Sequence, residues 1–382
     1  MSDEQVQPDF DVSVPDIPLP QETTATGEIA DEFDAAFRLA FIGAGQGGGR
    51  LASTFYRLGY RRVMALNTAS QDLATLPIPE TNKMQIGEGG AGKNPKVAQA
   101  IMAERQGDVL DFMRRTFGTG LDRIMVTVGA GGGTGAGTVN GLVHTARELL
   151  QMTKAPSDKV GVIVALPKYS ESNKVMANAY AVLSNLSTLV AQRLVSPLIV
   201  LDNERIHGLY PSLSVDSFWD TSNLSICSLF HLFNTIASKH SHYTSFDKND
   251  LLHVLDSGLI VFGATPLSKW DDPTDISMAI RNNLSKNILS GGVTLSSGTV
   301  AGAVVIGSQA ILSKLNMSHL EHGFDQLGRM LRPNSTVHRG IYRGDKDNIV
   351  VYTVIGGLER PAEKLADLRR MGNVSVEPEP WS

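Results

Sequence analysis

Five apolar runs, RLAFIGAG (38–45), RRVMALNT (61–68), DRIMVTVGA (122–130), KVGVIVALP (159–167) and SPLIVLDN (196–203), are separated by helix-length segments. Strands apolar on both faces and spaced by helices form a parallel sheet covered on each side. The class is therefore α/β, with a Rossmann-like parallel sheet. At 382 residues the chain exceeds the roughly 250 to 300 residues that one core usually fills, so two domains are expected. From 214 to about 240, Ile226, Leu229, Phe230, Phe233, Ile236 and Ala237 keep the i, i+3, i+4 spacing of one buried helical face. This segment reads as a long central helix. Beyond it, GLIVFGAT (258–265), a helix around 274–288, TVAGAVVIG (299–307), a helix near 319–331 and DNIVVYTVIGGL (347–358) predict a smaller α/β unit. The boundary is expected near 245, and a charged helix with an EPEPWS tail closes the chain after 358.

Charge is uneven. Residues 1–37 hold ten carboxylates and no lysine or arginine, the composition of a disordered acidic arm that either solubilises the chain or docks to a partner. Without those ten, the overall −5 becomes about +5, with no basic stripe, so nucleic acid is not expected as a partner. No run approaches the ~18 apolar residues that span a bilayer, and MSDEQVQPDF is not a secretory signal. The single cysteine, Cys227, permits no internal disulfide and is expected in the core; a cytoplasmic location follows.

Four glycine-rich or polar loops close these strands, at the edge where open α/β sheets bind ligands. GAGQGG (43–48) has the G-x-G-x-x-G spacing of a dinucleotide loop, but the next strand ends in the neutral Asn67 where such folds carry an acidic ribose ligand. An NAD- or FAD-linked enzyme is disfavoured accordingly. GEGGAGKN (87–94) nearly spells a Walker A loop; with Asn94 in the magnesium position and Pro95 after it, it reads better as an N-cap opening a helix over 95–115. VGAGGGTGAG (128–137) places six glycines in nine positions between a strand and a helix expected from about 138 to 152, an anion nest at a helix N-terminus. PKYSESN (167–173) closes the fourth strand. Converging on one edge, such loops suit a whole nucleotide held by backbone amides.

At GGGTGAG (131–137) the sequence resembles the tubulin and FtsZ superfamily, whose G-G-G-T-G-[ST]-G signature it meets except at Ala136. The resemblance is collinear over about 38–358: FIGAGQGGGR, ALNTASQDL, IGEGGAGKNP and LIVLDNERI look like successive nucleotide segments, and AGAVVIG with VVYTVIGGL like the activation domain. It implies a GTP-binding domain over 38–245, joined by its central helix to a smaller GTPase-activation domain over 246–358. It implies GTP and GDP as ligands, with Mg2+. Gly45, Gln46, Gly47 and Arg50 are then expected beside the α and β phosphates, with Asn67 also a candidate contact. Ala91, Gly92 and Lys93 are expected beside the γ phosphate, and Gly131, Gly132, Gly133, Thr134 and Gly135 around the phosphate chain. Glu171 would bond the ribose, and Asn203 and Asn223 would read guanine, an edge that amides match by donating and accepting together. Lys93 stands equally as a γ-phosphate ligand or as an ordinary solvated residue before a helix.

The nucleotide half shows no base beside its γ-phosphate loop. Family members complete the site with N-x-D-x-x-D from the next subunit, and here that place reads SFDKND (245–250), with Asp247 and Asp250 matching and Ser245 replacing asparagine. Two carboxylates three apart at a helix start can orient a water; the same pattern is also a common cap. The resemblance thus implies a head-to-tail homopolymer that hydrolyses GTP between subunits. A tubulin-like GTP-binding regulator that does not assemble remains the alternative. The chain stops about 24 residues after Gly357, without the tail by which FtsZ proteins meet membrane adaptors, so that role is not expected. His240 and His242 are read as a solvated helix end, and no metal site is expected.

Overall fold

The computed structural model describes residues 31–286 and 290–375. Most of the acidic arm and the EPEPWS end lie outside the described residues. Residues 31–37, assigned above to that arm, are packed: Phe37 is buried, Ala36 N–H donates to Asn234 O at 2.9 Å, and Glu32 pairs with Arg61.

Ten strands and thirteen helices alternate along the described residues. The first half runs β1 (Leu39–Ala44), α1 (Gly45–Arg57), β2 (Val63–Asn67), α2 (Ser70–Ala74), β3 (Lys83–Gln85), α3 (Pro95–Glu104), α4 (Gln106–Phe117), β4 (Arg123–Gly129), α5 (Thr134–Met152), β5 (Val160–Leu166), α6 (Asn173–Ala191) and β6 (Val195–Asp202). Then come α7 (Asn203–Leu209), α8 (Val215–Ile236), α9 (Lys248–Leu255), β7 (Leu259–Pro266), α10 (Pro273–Lys286), β8 (Val300–Gly307), α11 (Gln309–Leu312), α12 (Met317–Met330), β9 (Thr336–Arg343), β10 (Ile349–Leu358) and α13 (Ala362–Met371).

All strands join one sheet, ordered β3-β2-β1-β4-β5-β6-β7-β10-β8-β9. It is parallel from β3 to β7, turns antiparallel on both sides of β10, and is parallel again between β8 and β9. It crosses the expected boundary near 245 without a break, because β6 pairs with β7 through Leu198↔Leu259 and Ile199↔Ile260. Successive strand residues face opposite layers. Leu39 and Phe41 of β1 belong to the core layer that includes α1, α8 and α9, whereas Ala40 and Ile42 belong to the layer that includes α4, α5 and α6. This double burial is why the strand runs are apolar throughout. Cys227 lies fully buried in α8, as expected.

Sequence and structure differ at several places. The helix expected over 95–115 breaks at Arg105, which ends α3 and starts α4, two residues before the weak helix former Gly107. Helix α5 begins at Thr134, not near 138, because Gly135 and Gly137 enter its first turn. Strands β3 and β9 were not anticipated: β3 has three residues, and β9 is an edge strand carrying His338, Arg339 and Arg343, the polar signature edges adopt. No helix among the described residues is long and apolar enough to cross a membrane.

Candidate functional site

Strand order reverses beside β1: the chain passes outward through β2 and β3, then returns to place β4 on the other side. At such a switch point the loops leaving two neighbouring strands diverge and open a crevice at their carboxyl ends. A cavity of about 430 Å3 occupies that place, lined by Ala44 and Gly45 at the end of β1 and by Gly129 at the end of β4.

Close backbone approach builds the floor. Gly45, in the left-handed region (φ 68°), lets the first loop reach α5: a Cβ there would stand 2.9 Å from Gly135 N. A Cβ on Gly133 would stand 2.7 Å from the Ala91 Cβ and 3.1 Å from the Lys93 and Asn94 amides, so that glycine seats the 87–94 loop against α5. Not every glycine of the cluster faces the cavity. A Cβ on Gly137 would meet Pro95 O at 2.1 Å, so this glycine serves the packing of α5 on α3.

Helices α1, α2, α5 and α6 begin at the rim, and none has a side chain capping its first amides. By contrast, Asn94, Asp202, Ser214 and Asp247 cap α3, α7, α8 and α9. Uncapped first-turn N–H groups are orphan donors and carry the positive end of the helix dipole. Their convergence suits an anion with several oxygens. Asn94 with Pro95 at N1 is the helix start expected from the sequence.

All sixteen residues expected at the nucleotide line this one cavity: Gly45, Gln46, Gly47 and Arg50; Asn67; Ala91, Gly92 and Lys93; Gly131 to Gly135 with Thr134; Glu171; and Asn203 and Asn223. Their side chains differ in freedom. Asn67 is committed internally, donating to Asp72 at 2.9 Å and accepting from Thr134 Oγ1 at 3.1 Å. The Thr134 hydroxyl is also 2.8 Å from Thr68 Oγ1, so its bonds lie within the protein. Asn203 accepts from Ser222 Oγ at 2.8 Å, leaving its amide NH2 as donor. Lys93 is exposed, and its carbonyl accepts from Asn178 Nδ2 at 3.2 Å.

Sequence reasoning missed Trp219, which lines the cavity one helical turn before Asn223, and Asp72 and Thr68 around Asn67. The i, i+4 spacing of Trp219 and Asn223 within the recognised helix was the available signal. It also missed what supports Asn203: the preceding Asp202 caps α7 and pairs with Lys364 of α13 at 2.6 Å. Burial opposes the Lys364 charge, but Asp202 and the Tyr169 hydroxyl outweigh it and raise its pKa above the usual lysine value.

Asp247 and Asp250 do not line the cavity of their own chain. Asp247 caps α9, accepting from the Asn249 and Asp250 amides, while Asp250 accepts from Asp247 N–H at 3.0 Å, a complete capping box. Between them Lys248 reaches Asp122 at 3.6 Å, just before β4, and lies over the Phe37 ring, just before β1. The pair therefore stands at the amino ends of the strands whose carboxyl ends form the cavity. The Ser245 hydroxyl accepts from Ser241 N–H at 3.0 Å. His240 and His242 are exposed, and no group of three metal-type ligands occurs among the described residues.

Residues 38–211 match the Tubulin/FtsZ family, GTPase domain. A tubulin-like protein TubZ of Bacillus cereus is 22% identical, the match covering 89% of this chain and 83% of that protein. The cell division protein FtsZ of Aquifex aeolicus is 31% identical over 47% of this chain and 46% of its own length. Among solved structures, a GTPγS-form protofilament of TubZ from Bacillus thuringiensis serovar israelensis superposes with TM-score 0.78 at 21% identity, covering 89% of this chain and 92% of that one. CetZ2 of Haloferax volcanii, a GTPγS-bound protofilament, gives 0.71 at 21% identity over 88% and 98%.

Proposed function

We propose that this chain, in which residues 38–211 form a GTPase domain of the Tubulin/FtsZ family, binds GTP and hydrolyses it between subunits stacked head to tail. One observation carries the reading: the cavity and the Asp247/Asp250 pair lie on opposite edges of one parallel sheet, separated by the length of β4, about 20 Å at 3.3 Å per residue. A translated copy would bring the acidic edge of one subunit over the cavity of the next, and such a heterologous contact propagates as a filament. The protofilaments formed by the TubZ and CetZ2 relatives support this direction.

Within the cavity, the uncapped amides of α1 and α5 would receive the phosphate oxygens, with Arg50 adding charge to the α and β groups. Lys93, with the Ala91 and Gly92 backbone, would meet the γ phosphate. Glu171 would accept from a ribose hydroxyl, and the Asn203 and Asn223 amides would select guanine beside the Trp219 ring. Mg2+, when bound with the nucleotide, would supply positive charge against the charge developing on the phosphates. Asp250 and Asp247 of the adjoining subunit would orient the attacking water; until that subunit docks, no carboxylate from this edge faces the γ phosphate. The two parts of the chain thus divide the work, with 38–245 holding nucleotide and 246–358 presenting the activating edge.

Sedimentation with GTP, GDP and GTPγS, together with phosphate release by the wild type and Asp250→Ala, tests the proposal. The variant is expected to bind GTP and sediment but release phosphate at least about tenfold more slowly, one charge-assisted contact being worth a decade or more. Normal release by Asp250→Ala removes the residue from the mechanism. GTP binding without sedimentation or turnover selects the non-assembling regulator instead.

A further inference from the structure

Asp250 is held from two sides. Its Oδ2 accepts from Asp247 N–H at 3.0 Å within the capping box, while His338 Nδ1 of β9 approaches its Oδ1 to 2.7 Å. His338 in turn sets Nε2 at 3.0 Å from Nδ1 of His253, which follows Asp250 by three residues on α9. An ionised carboxylate only accepts, so His338 carries its proton on Nδ1; a neutral ring then offers a lone pair at Nε2, which requires the proton on His253 Nδ1. The donors run one way, from His253 to His338 to Asp250. A further proton on His338 Nε2 would place hydrogens on both facing nitrogens and break the 3.0 Å contact.

The other charged and titratable groups here are accounted for. Asp247 lies across the capping box, and Lys248 pairs with Asp122. Tyr342 is held by the Phe246 backbone, and Arg339 pairs with Asp325 of α12. His338 and Asp250 are half-buried, with 17% and 24% of their side chains exposed. Burial lowers the pKa of His338, with Asp250 opposing the shift.

Building on the reading of Asp250 as the water-orienting carboxylate of the adjoining subunit, we propose that His338 is its positioning residue, and that the His253–His338 pair makes hydrolysis respond to pH. With His338 neutral, Asp250 is aimed by a neutral donor and keeps its charge to accept from the attacking water. When His338 takes up a proton, it becomes an ion-pair partner that draws that charge inward, and turnover falls.

The test is phosphate release at saturating GTP, with protein above its critical concentration, between about pH 5.5 and 8, the range in which histidine titrates. Wild type is expected to lose activity on the acid side. His338→Phe, which removes the donor, is expected to turn over about tenfold more slowly at neutral pH while monomer GTP affinity stays unchanged. His338→Asn, whose amide nitrogen substitutes for Nδ1 and does not titrate, is expected to stay within about threefold of wild type at neutral pH and to lose the acid limb. A merely structural histidine would not separate rate from pH dependence in this way. A flat wild-type profile, or an Asn variant that keeps the acid limb, overturns the inference even if His338→Phe fails to fold. Asp250→Ala is the control: if it turns over normally, the parent reading fails and the inference with it, whereas an inactive Asp250→Ala beside wild-type behaviour in both His338 variants removes only the inference.

Discussion

At the residue scale, Lys93 and Gly133 show how a loop without regular structure is held in place. Lys93 adopts φ 56°, a conformation that costs a side-chain-bearing residue about 1 kcal/mol or more, and Gly92 (φ 55°) and Gly90 (φ 81°) share it. Lys93 also lines the cavity, where its ammonium would have the γ phosphate as partner. Lys93→Ala keeps the Cβ and its strain and deletes only the charge. The preference for GTP over GDP is expected to fall by about 10- to 100-fold, because GDP lacks the group the ammonium would contact. Titrating both nucleotides against both proteins decides it, and an unchanged ratio makes Lys93 a bystander. Gly133→Val tests the seat of the same loop. Its Cβ would fall 2.7 Å from the Ala91 Cβ and 3.1 Å from two backbone nitrogens, which cannot swing away as a side-chain end can. The loop must move, and GTP affinity is expected to drop about 10- to 100-fold, the equivalent of roughly 1 to 3 kcal/mol of overpacking, with far-UV circular dichroism preserved. Undiminished affinity would show that the 91–94 backbone does not meet the nucleotide.

At the scale of single elements, α9 has two roles to separate, since Asp247 is both its N-cap and half of the acidic pair. Asp247→Asn retains a capping oxygen, whereas Asp247→Ala removes it at a cost of about 1 kcal/mol in stability. If the carboxylate also works in hydrolysis, the Asn variant should melt like wild type yet turn over slowly; equal turnover in wild type and Asn would leave Asp247 a cap alone. The same helix shows what the sequence could reveal. Its start was legible because capping is local, and β1, β2 and β4 to β6 were legible because burial on both faces leaves unbroken apolar runs. The glycine loops around the cavity were legible from composition, whereas Arg50, Glu171, Asn203 and Asn223 came only through the resemblance to the tubulin and FtsZ superfamily. Strand β9 was not, since only Gly340, Ile341 and Tyr342 are buried and the polar residues before them break the apolar run. For that reason the His338–Asp250 contact, across 88 positions, could not be foreseen, and neither could Lys364 beneath Asp202 across 162. Such contacts depend on sheet order, which local pattern does not encode.

For the whole molecule, α8 runs across the sheet face that supports both the cavity and the acidic edge, so its packing bears on global stability. His231 on this helix is buried, its ring 4.4 Å from Phe33 and 5.6 Å from Tyr60, with Nδ1 3.4 Å from the Tyr60 hydroxyl. Burial, aided by Lys239, pulls its pKa down to about 4. A free histidine titrates near 6.5, so the unfolded chain takes up this proton before the folded one does. The stability this represents is complete above about pH 6.5 and is lost as pH falls toward 4, amounting to about 3 kcal/mol at 1.36 kcal/mol per unit. Asp256 gives a loss of the same sign at lower pH: burial opposes its charge, but Lys159 and Arg123 prevail and hold its pKa below the usual carboxylate value. The two losses occupy separate windows. His231→Phe keeps the aromatic contacts and removes the proton, so it should flatten the decline between pH 6.5 and 4.5 and leave the Asp256 loss in place. Urea midpoints at pH 7 and 4.5 measure this: the wild-type decline is expected to exceed that of the variant by about 2 to 3 kcal/mol. Equal declines would mean that His231 is protonated without cost in the folded chain, and that the acid sensitivity of this fold lies among its carboxylates.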